Sequence, residues 1–278
     1  MAPAALGLVL AMMSIVTGCR SASSGAAGAT DPGASRSKAA AEGPPSTSGG
    51  NIVVLAAADL NPVLDELAPT FATKTGVTVT VSVGATAELA QQVRTGAPVD
   101  VFLAADTSSL DQPDARRLLL PGSIRTYARG RLVLVHRSGL VPAPTTLAAL
   151  RPAGVGRIAL ANPEAAPYGR AAEQALTAVG LWKGVGSRLI FAESTAQAWQ
   201  LVASGNAGVG FVPLSLAIAA GEPYLPVPQE SYAPLDEGLA IVASSKQRAA
   251  AQAFVAYLTG PDGRAALEKY GFEVPSTP

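Results

Sequence analysis

From residue 51 onward, short apolar runs alternate with stretches of helical spacing, and this alternation constrains the fold more than any other feature of the chain. "NIVVLAA" (51–57) is an apolar run of the buried-strand type. Pro62 to Thr75 then sets Val63, Leu64, Leu67 and Phe71 at helical spacing, and Gly76 closes the helix. "VTVTVSV" (77–83) alternates with period two, "ATAELAQQVRT" (85–95) reads as a short helix stopped by Gly96, and "VDVFLAA" (99–105) is again a strand. Strands separated by helices of this length pair in parallel and carry helices on both faces. Further strands are expected at 131–136, 157–161, 187–192, 208–213 and 238–244, and helices at 168–179, 195–204, 246–258 and 262–270. The expected class is therefore α/β in two lobes, one from 51–131 plus 236–278 and one from 132–235. Ligands of such sheets bind beyond the carboxyl ends of parallel strands, so the strand-to-helix turns are the places to search.

The first 50 residues belong to another regime. Residues 1–18 are almost uninterruptedly apolar and end in small residues, the pattern of a secretory signal peptide. Val16-Thr17-Gly18-Cys19 is similar to a bacterial lipobox, which marks Cys19 for diacylation as the mature N-terminus; the alternative is an ordinary cleaved signal and an incidental cysteine. Residues 20–50 contain no Val, Ile, Leu, Met or aromatic side chain. Such a segment cannot bury enough apolar surface to offset chain entropy, so 19–50 is expected to be a lipidated cysteine followed by a flexible tether.

Composition removes whole classes of function. Twenty basic and 20 acidic residues give a formal net charge of zero, which argues against nucleic acid as a partner. One Cys and one His exclude an internal disulfide and leave a zinc cluster or a Cys/His nucleophile pair without the residues they need. His136 ends an apolar strand with no Ser or Asp motif beside it, no G-x-S-x-G occurs, and "GNAGVG" (205–210) has the spacing of neither a dinucleotide fingerprint nor a P-loop. An enzyme is not expected, and neither is a cofactor.

Four turns share one character: "AAADLNP" (56–62), "VGATAEL" (83–89), "AAPYGRA" (165–171) and "AESTAQA" (192–198). Each sets small, hydroxyl-bearing or turn-forming residues directly before a helix. Thr86 is an expected N-cap, and Ser194 with Gln197 reads as a capping box. Taken singly, each turn is a capped helix. Feeding one cleft, the four would make an anion site, because unpaired N–H groups and positive dipole ends would converge there. Three of the four lack Lys and Arg, and a site of hydroxyls and amides offers donors only, which suits a fully ionised oxyanion.

"VVLAAADLNPVLDELAPTF", "TAELAQQVRTGAPVDVFLAAD", "ANPEAAPYGRAAEQAL", "AESTAQAWQLVASGNAGVGFVPLS" and "RAALEKYGFEV" resemble the periplasmic molybdate-binding proteins of ABC importers, over nearly all of 52–274. The most specific element is Gly96-Ala97-Pro98 with Asp100, Phe102 and Ala105-Asp106. The resemblance implies a two-lobed type II periplasmic-binding-protein fold with crossover strands, each lobe a mainly parallel sheet flanked by helices. It further implies a monomer that closes on molybdate or tungstate and works with an ABC permease and its ATPase. Carried over residue by residue, Thr86 matches a hydroxyl ligand, Tyr168 and Thr195 match backbone N–H donors, and Pro213 stands where some members place a tyrosine. At the first turn the family's serine ligand is replaced by Ala58 or by Asp59. The oxyanion is thus expected to be held through Asp59, Thr86, Tyr168 and Thr195, with Ala58 beside them.

An ionised Asp59 about 4 Å from a dianion would be repelled by about 8 kcal/mol at an effective dielectric of about 20. Its carboxylate is therefore expected to turn away and accept an N–H at the helix start, leaving its backbone N–H to the anion; pairing with Arg170 or protonation are the alternatives. A second functional reading is an extracytoplasmic sensor or accessory protein that keeps the fold and has lost or changed its ligand.

Overall fold

The computed structural model describes residues 50–275 apart from 138 and 141, so the signal peptide, Cys19 and the tether expected at 19–50 lie, but for residue 50, outside the described residues. No helix among the described residues is long and apolar enough to cross a membrane. Among the described residues there are ten strands: β1 Asn51–Ala57, β2 Thr78–Gly84, β3 Val101–Ala104, β4 Arg125–Gly130, β5 Leu132–His136, β6 Ile158–Ala161, β7 Leu189–Ala192, β8 Val209–Pro213, β9 Tyr224–Pro226 and β10 Leu235–Ile241. They form two five-stranded sheets, in the orders β2-β1-β3-β10-β4 and β7-β6-β8-β5-β9.

Both sheets are mixed, where mainly parallel ones were expected. β1 runs parallel to β2 and β3, but β10 is antiparallel to β3 and β4. β6 runs parallel to β7 and β8, while β5 is antiparallel to β8 and β9. The reason is how the chain changes sheets. β10 begins opposite the end of β4 (Leu235 with Gly130), and β5 begins opposite the end of β8 (Leu132 with Pro213). A strand that arrives from the other sheet at the carboxyl edge must run backwards through its neighbours.

Helices cover both faces. Asn61–Thr75, Arg248–Thr259 and Pro261–Lys269 pack Leu64, Phe71, Phe254, Leu258 and Leu267 on one face of the first sheet. Thr86–Arg94 covers the other with Leu89 and Val93. On the second sheet, Pro167–Ala178 sets Ala172, Ala175 and Leu176 on one side and Thr195–Ala203 sets Ala198 and Val202 on the other. Gly169 permits the close approach of Pro167–Ala178 to β6, since a Cβ there would lie 2.3 Å from the Ala161 carbonyl oxygen.

Among the elements not expected from sequence are β4, β9, the short helices Ser108–Asp111, Pro113–Leu118 and Trp182–Val185, and the helix Leu214–Ala220. The helix Leu214–Ala220 leaves β8 yet touches the other sheet's layer, where the Ser215 hydroxyl donates to the Asp59 carbonyl oxygen at 2.6 Å.

Candidate functional site

The four turns singled out in the sequence meet at one narrow pocket. Its lining comprises Ala57, Ala58 and Asp59 after β1, Gly84, Ala85 and Thr86 after β2, Ala166, Pro167 and Tyr168 after β6, Thr195 after β7, and Ala105 after β3. All five expected site residues, Ala58, Asp59, Thr86, Tyr168 and Thr195, are therefore brought together. The free volume is about 10 Å³, room for about one water-sized sphere, so the walls are nearly in contact. A wider cavity of about 240 Å³ beside it is lined by Asp106, Arg170, Gln174 and Asp236 among others.

The chemistry of the narrow pocket comes from where each residue sits in its helix. Thr86 and Thr195 are the first residues of Thr86–Arg94 and Thr195–Ala203, and Tyr168 is the second of Pro167–Ala178. Asp59 is the middle of a 3₁₀ turn, Ala58–Leu60, that runs into Asn61–Thr75. N–H groups in these positions have no partner inside their own helix, and all four helix starts add positive dipole ends. Proline at the first position of Pro167–Ala178 and the second of Asn61–Thr75 favours such starts at no hydrogen-bond cost. No Lys or Arg lines the pocket. The arrangement can bind a compact, donor-free anion.

The hydroxyls are placed differently from expectation. Thr86 is not an N-cap: Ala85 holds that position in extended conformation without a side-chain bond. Instead the buried Thr86 Oγ1 accepts from the Ala105 N–H at 3.2 Å, tying the turn after β2 to the turn after β3 and leaving its own hydrogen to donate elsewhere. Ser194 does cap, accepting from the Gln197 N–H at 3.2 Å, but the Gln197 side chain reaches one residue further back, to the Glu193 N–H at 2.6 Å. Pro213 closes β8, is buried and stays outside the pocket lining. His136 at the end of β5 is likewise outside it.

Asp59 departs from both of the placements that would keep its carboxylate charged. It does not hold an N-cap position, which falls to Ala57 for the 3₁₀ turn and to Leu60 for the helix after it. Arg170 is not its partner either: that guanidinium pairs with Asp106, whose other oxygen accepts from the Ser109 N–H at 2.9 Å. Asp59 is 1% exposed and neither carboxylate oxygen makes a hydrogen bond of normal geometry. Burial lifts its pKa to about 6, opposed in turn by the Glu237 carboxyl, its own backbone N–H, the Tyr168 hydroxyl and the Leu60 N–H. Glu237, on β10 and 0% exposed, was missed from sequence. Its Oε1 accepts from the Tyr168 hydroxyl at 3.4 Å, and burial, then the negative Asp59, hold its carboxyl well above the usual range. One signal was present: Glu237 is in period-two phase with Leu235, Leu239 and Ile241, so a strand begun at Leu235 turns an acid inward.

The walls touch across the two sheets. The Ala87 N–H donates to the Ala165 carbonyl at 3.1 Å, Ala85 packs with Ala161 and Ala166, and the Asp106–Arg170 ion pair spans the same seam.

Comparison with known proteins places this geometry. A family model described as bacterial extracellular solute-binding protein matches residues 52–273. The molybdate-binding protein ModA of Azotobacter vinelandii is 36% identical over 226 residues, covering 80% of this chain and 89% of that protein. The molybdate-binding protein ModA of Rhodobacter capsulatus is 33% identical over 226 residues, covering 80% and 88%. The solved Azotobacter vinelandii periplasmic molybdate-binding protein superposes with a TM-score of 0.76 at 35% identity, covering 81% of this chain and 100% of that one.

Proposed function

Because the chain belongs to the bacterial extracellular solute-binding proteins, we propose that it captures molybdate or tungstate outside the cytoplasm and delivers it to an ABC permease and its ATPase. The observation that carries this reading is the convergence of four helix starts on one pocket with no cationic side chain in its lining. Such a pocket stabilises a tetrahedral dianion through fixed N–H and O–H donors and offers no acceptor to an anion that retains a proton. In this reading Thr86 supplies a hydroxyl, while Asp59, Tyr168 and Thr195 supply backbone N–H groups, with Ala58 forming the wall between them. The lobes are 51–131 plus 236–278 and 132–235; they part to admit the anion and close over it as a monomer. The relatives named above are binding proteins, and the same role is assigned here rather than catalysis.

Cys19 is proposed as the lipid-carrying N-terminus after removal of residues 1–18, with 20–50 as the leash. Detergent phase partitioning of the wild type and of Cys19→Ala tests this; equal partitioning of both into the aqueous phase would remove the anchor. Titration calorimetry with molybdate, tungstate, sulfate and phosphate tests the ligand. Heat is expected with the first two, and its absence with both would overturn the assignment.

A further inference from the structure

Behind the pocket, two carboxyl groups occupy one buried space. Asp59 comes from the turn after β1 and Glu237 from β10, the strand that enters the first sheet from the crossover. Asp59 and Tyr168 share the pocket lining, the Tyr168 hydroxyl reaches Glu237, and both acids are buried, so each carboxyl feels the other's charge across a space closed to water. Treated as two carboxylates, Asp59 Oδ1 and Oδ2 and Glu237 Oε2 all lack a hydrogen bond of normal geometry and are inaccessible to solvent.

The surroundings do not supply a counter-charge. Tyr168 from Pro167–Ala178 donates its hydroxyl to Glu237 Oε1 at 3.4 Å. Tyr127 from β4 is buried, and its titration is affected by both acids. Asp106, from the turn after β3, adds negative charge felt by Glu237. The basic residues nearby are engaged elsewhere: Arg170 with Asp106, Arg129 with Asp236 and Arg131 with Glu273. Among the described residues, no Lys or Arg forms an ion pair with either member of the pair. Two ionised carboxylates in contact away from water are strongly disfavoured, whereas one proton converts their repulsion into a short O–H···O⁻ bond.

We propose that Asp59 and Glu237 form a proton site: the pair holds one proton in the free protein near neutral pH and draws in a second when a dianion enters the adjoining pocket. The second half rests on the anion-capture reading above. It follows from position, because the turn that presents the Asp59 N–H to the anion also carries the Asp59 carboxyl. Negative charge arriving on that turn disfavours the ionised form of the pair, and linkage makes the effect reciprocal: anion affinity rises as pH falls, by up to about tenfold per pH unit.

Two measurements test the two halves separately. In the free protein, carboxyl-carbon NMR across pH should show one acid still protonated at pH 7 and a second titrating near pH 6, with the first signal lost in Glu237→Gln. Complete ionisation of every Asp and Glu by about pH 5.5 would overturn the proton site, whatever the ligand. Molybdate calorimetry at pH 7 in two buffers of different ionisation enthalpy should then show uptake of part of one proton by the wild type and none by Asp59→Asn/Glu237→Gln. Equal heats in both buffers would overturn the coupling and leave molybdate binding standing. No heat in either buffer would overturn the binding reading and the coupling together, while the NMR titration still decides the pair.

Discussion

Asp59 gives the pocket its backbone and the interior its acid, and the two roles pull stability in a direction that can be measured. Both Asp59 and Glu237 have raised folded-state values, so above about pH 4 the folded protein holds protons that the unfolded chain releases. Their contribution is fully present below the unfolded carboxyl range and is lost as pH rises through about 6 and beyond. Urea unfolding of the wild type should therefore show a lower midpoint at pH 8 than at pH 5, relative to Glu237→Gln, in which the difference shrinks. Exposed acids such as Glu66, held low by Lys269, act oppositely, which is why the comparison with the variant is the decisive quantity. Thr86 makes a different prediction. Thr86→Val keeps the shape, strands the Ala105 N–H and removes one donor from the pocket. About 1–3 kcal/mol of stability should be lost, and molybdate affinity should fall about 10- to 100-fold by calorimetry, whereas Thr86→Ser retains both.

At the scale of elements, the crossover is the least tolerant part of the fold. Gly130 ends β4, and a Cβ there would lie 1.8 Å from the Tyr168 hydroxyl and 3.0 Å from Glu237 Oε1. Gly130→Ala must push Tyr168 out of its place, at a cost of about 1–3 kcal/mol in denaturant unfolding. Tyr168→Phe in the same chain should recover part of that loss, because the nearest clashing atom is gone. This crossover is also where sequence reading failed. "RTYARG" alternates charge with small and aromatic residues and offers no apolar run, so β4 was invisible; its pairing with β10 is what makes it a strand. β10 itself was expected at 238–244 and begins at Leu235, and those three residues hide Glu237. The helix Leu214–Ala220 follows β8 without a loop, after Pro213. By contrast, β1, β2, β3 and the helices between them were legible, because each buries a whole apolar run or stripe. The pocket was legible for the same reason: its residues sit at helix starts, which turn chemistry marks. The state of the Asp59 carboxyl was not, since it depends on an acid 178 positions away in the chain.

Across the whole molecule, the contacts between the two sheets set up a test of what holds an anion in place. Asp106, in the turn after β3, and Arg170, in the first turn of Pro167–Ala178, lie on opposite sides of the seam between the sheets, and Asp106 is fixed by the Ser109 N–H while Arg170 reaches across. The motif 96–106 has structural work at both its acids: Asp100 accepts from the Val53 N–H at 2.8 Å and the Ser245 hydroxyl at 2.6 Å, tying β3 to its neighbours, and Asp106 then meets Arg170 from the other sheet's layer. The Arg170 side chain is 41% exposed, so the pair contributes no more than about 1 kcal/mol to holding the two sheets' layers together. Arg170→Ala should accordingly speed molybdate release by up to about fivefold in stopped-flow chase experiments. That result alone has two explanations, because removing Arg170 also removes a positive charge near a dianion. Asp106→Ala separates them by sign. If the pair acts as a latch, deleting the acid loosens the closed form and speeds release as Arg170→Ala does. If Arg170 acts only through its charge, deleting Asp106 leaves that charge unopposed and slows release. The ion pair joining the turn after β3 to Pro167–Ala178 favours the latch, so faster release from Asp106→Ala is the expected outcome, and slower release would assign Arg170 to electrostatic attraction instead.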